Sequence, residues 1–325
     1  MQRKSFVKLA AAALVAVLGV PQLAMAQAFP SKPIRLVVPY APGGLPDTVA
    51  RILSQRLTET LGQSVVVDNR PGASGAVAAS VLAQAPADGH TLLVTDGSML
   101  AIGPLVTRKM AYDPVKDFAP VSLVGTAPLF LAVHPSVKAD NLDQLIALAK
   151  ARPGTLNYGS SGTGSIHHLT AEAMKNGFGI FITHIPFRGS GASVPAMIGG
   201  QVDMVFASPP SLMGFVKNGQ AKLVAINSAT RSPLAPNIPA LAEKLPGFDF
   251  AFNVVVMART GTPQEVITRI STEIAKIVKR PEVIEQLHIA GVEPSGGSPE
   301  QLASALKAES ARVTAAAKQA NLKPE

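Results

Sequence analysis

The sequence contains no cysteine and no tryptophan, only 5% aromatic and 15% charged residues, and no dense block of lysine and arginine. Without cysteine there can be no disulfide, thiolate metal site, cysteine nucleophile or lipid-modified cysteine. Sparse aromatics and the missing basic stripe remove the stacking platforms and phosphate-binding surface of nucleic-acid recognition, so no nucleic-acid partner is expected. After the first 26 residues no apolar run is long enough to span a bilayer. What the chain does have is 47% hydrophobic residues over a length of 325, enough for a large core and more than one domain.

The start of the chain differs from the rest. Arg3, Lys4 and Lys8 precede an apolar run over 9–20, and Ala24-Met25-Ala26 stands before Gln27. This is the pattern of a secretory signal peptide cut after Ala26, with a retained anchor as the alternative. Removing three cations from a formal charge of +8 leaves +5, a mild excess that favours small anions or an anionic surface.

Apolar strand-like runs alternate with helical spacing along the mature chain. A buried strand at 34–40 precedes a helix at 46–61, whose Val49, Ile52, Leu53, Leu57 and Leu61 recur on one face. Strands follow at 64–67, 91–95, within 121–133, and at 157–158, 180–185, 202–206, 223–227 and 250–257. Helices are expected at 76–84, 142–150, 165–176 and 192–198. Thr262-Pro263-Gln264-Glu265 and Ser298-Pro299-Glu300-Gln301 read as capping boxes opening two late helices. The alternation predicts an α/β protein of two domains with mainly parallel sheets.

Two glycine-bordered loops stand where strands give way to helices. In "PYAPGGLPD", Gly43 and Gly44 admit close backbone approach, Pro46 suits the first helical position and Asp47 the first turn. Amides there lack helical partners and could hold a carboxylate, phosphate or water; alternatively the loop is only a turn and Asp47 only a cap. In "NYGSSGTGSIHHL", three glycines are mixed with hydroxyls and Ser165 is a natural N-cap, giving a second cradle or a flexible polar turn. Such loops lie at the carboxyl ends of strands, where open α/β sheets bind ligands.

Catalytic and metal patterns are weak. No G-x-S-x-G elbow occurs, no Gly-Lys-Ser/Thr completes a P-loop, and adjacent His167 and His168 point about 100° apart on a helix. No cofactor or metal is expected. His90, His134 and His184 read as structural, while Asp203 is either a core-edge carboxylate or a cleft residue.

The ordered segments "KPIRLVVPYAPGGLPDTVAR", "VVVDNRPGASG", "GSSGTGSIHHLTAE", "THIPFRGSG", "GGQVDMVFASPPS" and "RSPLAPNIPALAEKLPGF" resemble the Bug family, extracytoplasmic receptors of tripartite tricarboxylate transporters, over nearly all of 30–305. The resemblance implies a periplasmic, two-lobed Venus-flytrap fold of the type II kind, with lobe 1 from 27–127 and 252–325 and lobe 2 from 128–251. It also implies a small carboxylate in the cleft and delivery to membrane permease subunits. By motif position, Tyr40, Pro42, Gly43, Gly44 and Asp47 would form one half of the site, with Asp47 orienting a bridging water. Ser160, Ser161, Gly162, Thr163 and His168 would form the other half, with Asp203 and Ser208 near the cleft floor. The stretch "AFNVVVMARTGTP", the lack of tryptophan and the Leu45-Pro46 pair depart from the family's pattern, which points to a ligand more apolar or aromatic than citrate. A sensory partner role and a secreted hydrolase using a serine within 160–165 are the alternatives.

Overall fold

Ile34–Val38 forms β1, and Leu36, Val37 and Val38 are wholly buried, as a strand with neighbours on both edges and helices on both faces requires. The computed structural model describes residues 29–106, 110 and 112–319. The expected signal peptide and its cut after Ala26 lie outside the described residues.

After β1 come α1 (Leu45–Leu61), β2 (Val65–Asn69), α2 (Ala76–Gln84), β3 (Thr91–Asp96), α3 (Gly97–Val106) and β4 (Phe118–Ala127). A second series runs β5 (Phe130–Val133), α4 (Leu142–Ala151), β6 (Asn157–Ser160), α5 (Ile166–Phe178), β7 (Thr183–Pro186), α6 (Ser190–Ile198), β8 (Met204–Ala207), α7 (Pro209–Lys217) and β9 (Lys222–Ile226). The chain then returns through β10 (Phe252–Arg259), α8 (Gln264–Ile277), α9 (Pro281–Ile289), β11 (Glu293–Gly297) and α10 (Pro299–Gln319). From Lys32 onward these elements form one compact unit.

The strands make two sheets, ordered β11-β4-β10-β3-β1-β2 and β7-β6-β8-β5-β9. Both are mixed, not mainly parallel. β1 is parallel to β2 and β3, and β6 to β7 and β8, but β10 runs against β3 and β4, β11 against β4, and β5 against β8 and β9. The reason is connectivity. Parallel neighbours need a crossover helix, whereas β5 and β10 enter their sheets directly from the other side of the molecule and so oppose the local strands.

Only Pro128 and Leu129 separate β4 from β5, and the return passage ends at Ala251. Asn227, wholly buried just past β9, binds both passages. Its Oδ1 accepts the Leu129 N–H at 2.7 Å and its Nδ2 donates to the Phe250 carbonyl at 2.9 Å. Its own N–H donates to the Leu129 carbonyl at 2.9 Å, and Phe250 donates back to its carbonyl at 2.8 Å.

Each sheet has its own core, with Val37, Leu82, Leu93, Val255, Met257 and Leu302 clustered on the six-stranded sheet and Phe130, Val194, Met197, Val205, Leu212 and Ile226 on the five-stranded one. Each fully buried Leu or Phe contributes about 1.5–3 kcal/mol. α1 buries Leu45, Val49, Leu53 and Leu57, four residues apart, and stops at left-handed Gly62, whose N–H returns to the Thr58 carbonyl. The Ser298 box forms as expected, with reciprocal bonds between Ser298 and Gln301. The Thr262 box does not, because the Thr262 hydroxyl donates to the Arg259 carbonyl instead. The terminal helix α10 joins the two halves, since its Val313 and Ala317 pack against Leu169 of α5.

Candidate functional site

Between the sheets, the ends of several strands close around a small cavity. Its lining is contributed by Tyr40, Gly44, Leu45, Pro46, Asp96 and Phe252 from the six-stranded half and by Ser161, His167, Ser190 and Ser208 from the other. Five helices begin here. Gly44 caps α1, Asp96 immediately precedes α3, His167 is the second residue of α5, Ser190 the first of α6, and Ser208 caps α7. The starts of α1, α3, α5 and α6 carry about half a positive charge each on amides without helical partners, whereas α7 opens on Pro209-Pro210, which have no N–H. Among the described residues neither Lys nor Arg lines the cavity.

Two lining side chains are buried with no hydrogen-bond partner: the Ser161 hydroxyl, and His167 at both ring nitrogens. Burial pushes the His167 pKa down to about 3, so the ring is neutral and offers one donor and one acceptor. A buried polar group left unpaired costs about 1–3 kcal/mol, so both are poised for a partner that enters from the cavity.

The halves are drawn tightly together. The Ala41 N–H donates to the Arg188 carbonyl at 3.2 Å, and a Cβ on Gly191 would collide with the Pro42 carbonyl oxygen. A Cβ on Gly44 would approach the Ser190 hydroxyl to 3.1 Å. The cavity has room for about one water molecule, so an organic ligand requires the halves to stand further apart than they do here. A larger open groove of about 480 Å³ lies behind the crossings, by Thr126, Pro128 and Ala251. Its Arg231 is already held by both oxygens of Glu243 at 2.7 Å, and its Glu293 lies 3.5 Å from His288.

Of the expected site residues, Tyr40, Gly44, Ser161 and Ser208 line the cavity. Pro42 and Gly43 sit beside it in the same loop, as Gly162 and Thr163 do on the other side, without lining it.

Asp47 is not free to orient a water. Its Oδ2 accepts from the Gly43 N–H and Arg51 Nε, and its Oδ1 from Arg51 and Asn69, all at 3.0 Å. Burial raises its pKa, but these bonds outweigh that and hold the carboxyl below the ordinary carboxylate value. Asp47 therefore locks the loop, and it takes up the Gly43 amide that the sequence had offered to a ligand.

Ser160 is likewise internal, bonded to Gly162 and, at 2.7 Å, to Nε2 of His184. His168 accepts the Gly164 N–H at 2.9 Å and stacks on His184 with ring centroids 3.9 Å apart. These three brace the loop from beneath while Ser161 and His167 face the cavity. Asp203 lies at the opposite end of β8 from Ser208, exchanging bonds with Asn157 at 2.8 and 3.0 Å, and takes no part in the cleft. Its position before the strand, instead of after it, makes it a sheet-edge clamp.

Asp96, His167, Ser190 and Phe252 were missed as site residues. Asp96 could have been found, since it ends a strand and precedes Gly97-Ser98 as a helix begins. His167 was legible only as half of a pair; which half faces the cleft depends on the rotation of α5.

Mixed sheets in two halves, with strand ends and helix starts converging on a closed cavity, define a solute-binding protein. The chain belongs to the Tripartite tricarboxylate transporter family receptors, whose pattern it matches over residues 49–322. It is 36% identical over 289 residues to BugT of Bordetella pertussis, covering 88% of this chain and 89% of that protein. The fold is similar to that of R. palustris Rpa4515 with adipate (TM-score 0.89, 36% identity, 91% of this chain and all of that one). It is also similar to MatC of Rhodopseudomonas palustris with bound malate (TM-score 0.81, 29% identity, 89% and 99%).

Proposed function

We propose that this protein is a periplasmic receptor that captures a small carboxylic acid between its two halves and delivers it to the membrane subunits of a tripartite tricarboxylate-type permease. The observation that carries the reading is the convergence of five helix starts, with the unpartnered Ser161 and His167, on a cavity without Lys or Arg. A carboxylate there gains charge-assisted bonds of about 1.5–3 kcal/mol each, enough for micromolar binding at roughly −8 kcal/mol after ordering costs. Neighbours with adipate and with malate support the same ligand class.

In this reading residues 27–127 and 252–325 move as one lobe and 128–251 as the other, opening at the two crossings that Asn227 ties together. The export signal is removed after Ala26. A hydrolase is disfavoured by geometry, because the Ser161 hydroxyl has no base bonded to it and Ser160, which does meet His184 Nε2 at 2.7 Å, is wholly buried beneath the loop.

The test is a thermal-shift screen of the mature protein against aliphatic, hydroxy, amino and aromatic acids, adipate and malate included. A ligand that binds only the native state raises the melting temperature. Ser161→Ala and His167→Ala should each reduce the shift. No shift with any acid would refute the receptor reading, and mass spectrometry of the exported protein checks the cut after Ala26.

A further inference from the structure

The two walls of the cavity differ in hydrogen-bonding capacity, and the difference narrows the ligand class on which the receptor reading rests. The wall from the five-stranded half is rich in donors: Ser161, Ser190 and Ser208 hydroxyls, an N–H of His167, and the amides that open α5 and α6, while α7 opens on Pro209-Pro210 and has no N–H at those two positions. The opposite wall is rich in acceptors. Tyr40 commits its hydroxyl hydrogen to Asp96, so it shows the cavity only oxygen lone pairs. Asp96 accepts from Ser98 and the Met99 N–H on Oδ1 and from Tyr40 on Oδ2, and among the described residues no Lys or Arg pairs with it.

On this wall α1 supplies fewer donors than a helix start can, because the Gly43 N–H is spent on Asp47 and Pro46 has none. Behind Asp96 lies a second acid. Glu309 of α10 sits against Gly97, its Oε2 accepting from Asn253 and its Oε1 buried without a partner. Burial raises the pKa of both acids, and the nearby Asp96 raises that of Glu309 further. A plain dicarboxylate would place one of its acceptor-only ends against this wall, where the Tyr40 hydrogen is already spent and the Asp96 oxygens face it with lone pairs.

We propose that the cargo is a small carboxylic acid that also carries a hydrogen-bond donor, a hydroxyl or an ammonium. Its carboxylate is held by Ser161, His167 and the starts of α5 and α6, and its donor hydrogen is delivered to Asp96 and Tyr40. Asp96 is thereby the specificity-determining residue, rejecting an analogue that leaves its lone pair unmatched.

Calorimetric titration of the mature protein with matched acids tests this: succinate, malate and aspartate; propionate, lactate and alanine; adipate, 2-hydroxyadipate and 2-aminoadipate. Within the set that binds, a hydroxy or amino member is expected to bind about ten-fold or more tightly than the unsubstituted acid. Asp96→Asn should collapse that ratio. Tyr40→Phe, which keeps the ring in place, should reduce it even if the Asp96 variant folds poorly. Equal affinity for the unsubstituted acid, or a ratio unchanged in both variants, overturns the proposal while leaving the receptor reading intact. Failure of every acid to bind overturns both.

Discussion

Asp47 sits buried in the first turn of α1. Its carboxylate gathers the Gly43 N–H, Arg51 and Asn69, and Asn69 also donates to the Tyr40 carbonyl, so the loop before α1 is held at both ends. Asp47→Ala is therefore expected to lower the stability of the unliganded protein by about 1–3 kcal/mol, read from urea unfolding, because Asn69 and the Gly43 amide lose a buried acceptor. The folded-state pKa is depressed, so this contribution is complete above the unfolded carboxylate pKa, near 3.9, and is lost as pH falls through the folded value. Wild type and Asp47→Ala should converge in stability at strongly acid pH. An Asp47→Ala variant as stable as wild type at pH 7 would show the clamp to be unimportant. At the same scale, Gly191 is a glycine because of closure. An alanine Cβ would meet the Pro42 carbonyl, with backbone on both sides and no flexible atom to give way. Gly191→Ala should weaken binding of whichever acid gives the largest thermal shift, and should enlarge the liganded form in solution scattering, with little effect on unliganded stability.

Among elements, those with strong local periodicity were legible and those defined by position were not. α1 was readable because Val49, Leu53 and Leu57 repeat every four residues and Gly62 ends the run. α5 was readable from Ser165, whose hydroxyl accepts the His168 N–H. By contrast α3, α7 and α9 were missed. The Gly97-to-Val106 stretch is apolar all round, and Pro209-Pro210 reads as a loop until it proves to open a helix. Strand direction was also beyond the sequence, because whether β5 and β10 run with or against their neighbours depends on which sheet they enter. The site was half legible: its two glycine loops could be placed, but which of Ser160 or Ser161, and His167 or His168, faces the cleft is a matter of rotation that loop composition does not encode. Asn227 carried no local signal, since its partners lie 98 and 23 residues away. Removing its side chain leaves the Leu129 N–H and Phe250 carbonyl unpaired. Asn227→Ala should cost about 1–3 kcal/mol for each, and should raise hydrogen exchange at Leu129 more than at Leu36 in β1. Equal exchange changes at both positions would mean that Asn227 supports the fold generally and not the crossings.

For the molecule as a whole, the buried ionisable groups set both flanks of the stability curve. Burial lowers the pKa of His167 and His184 to about 3 and that of His168 to about 4. All three are neutral when folded, while the unfolded chain protonates them near 6.5. The unfolded state binds more protons below that point, so stability is complete above about 6.5 and declines as pH falls toward the folded values, by about 1.4 kcal/mol per pH unit for each histidine. Glu309 acts on the other flank. Burial, aided by Asp96, raises its pKa to about 8, so it is protonated when folded and ionised when unfolded between about 4.5 and 8. Its contribution is complete below the unfolded pKa and is lost as pH rises through that window. The two trends cross, and the structure predicts a stability maximum near neutral pH with flanks of different origin. Urea midpoints measured from pH 4.5 to 8.5 should show it. His167→Gln should make the acid flank shallower by about one proton's slope, and Glu309→Gln, which keeps an acceptor for Asn253 without the charge, should raise stability at pH 8 more than at pH 5. An acid flank unchanged in His167→Gln, or an equal effect of Glu309→Gln at both pH values, would show that these buried groups do not govern the profile and that surface carboxylates do.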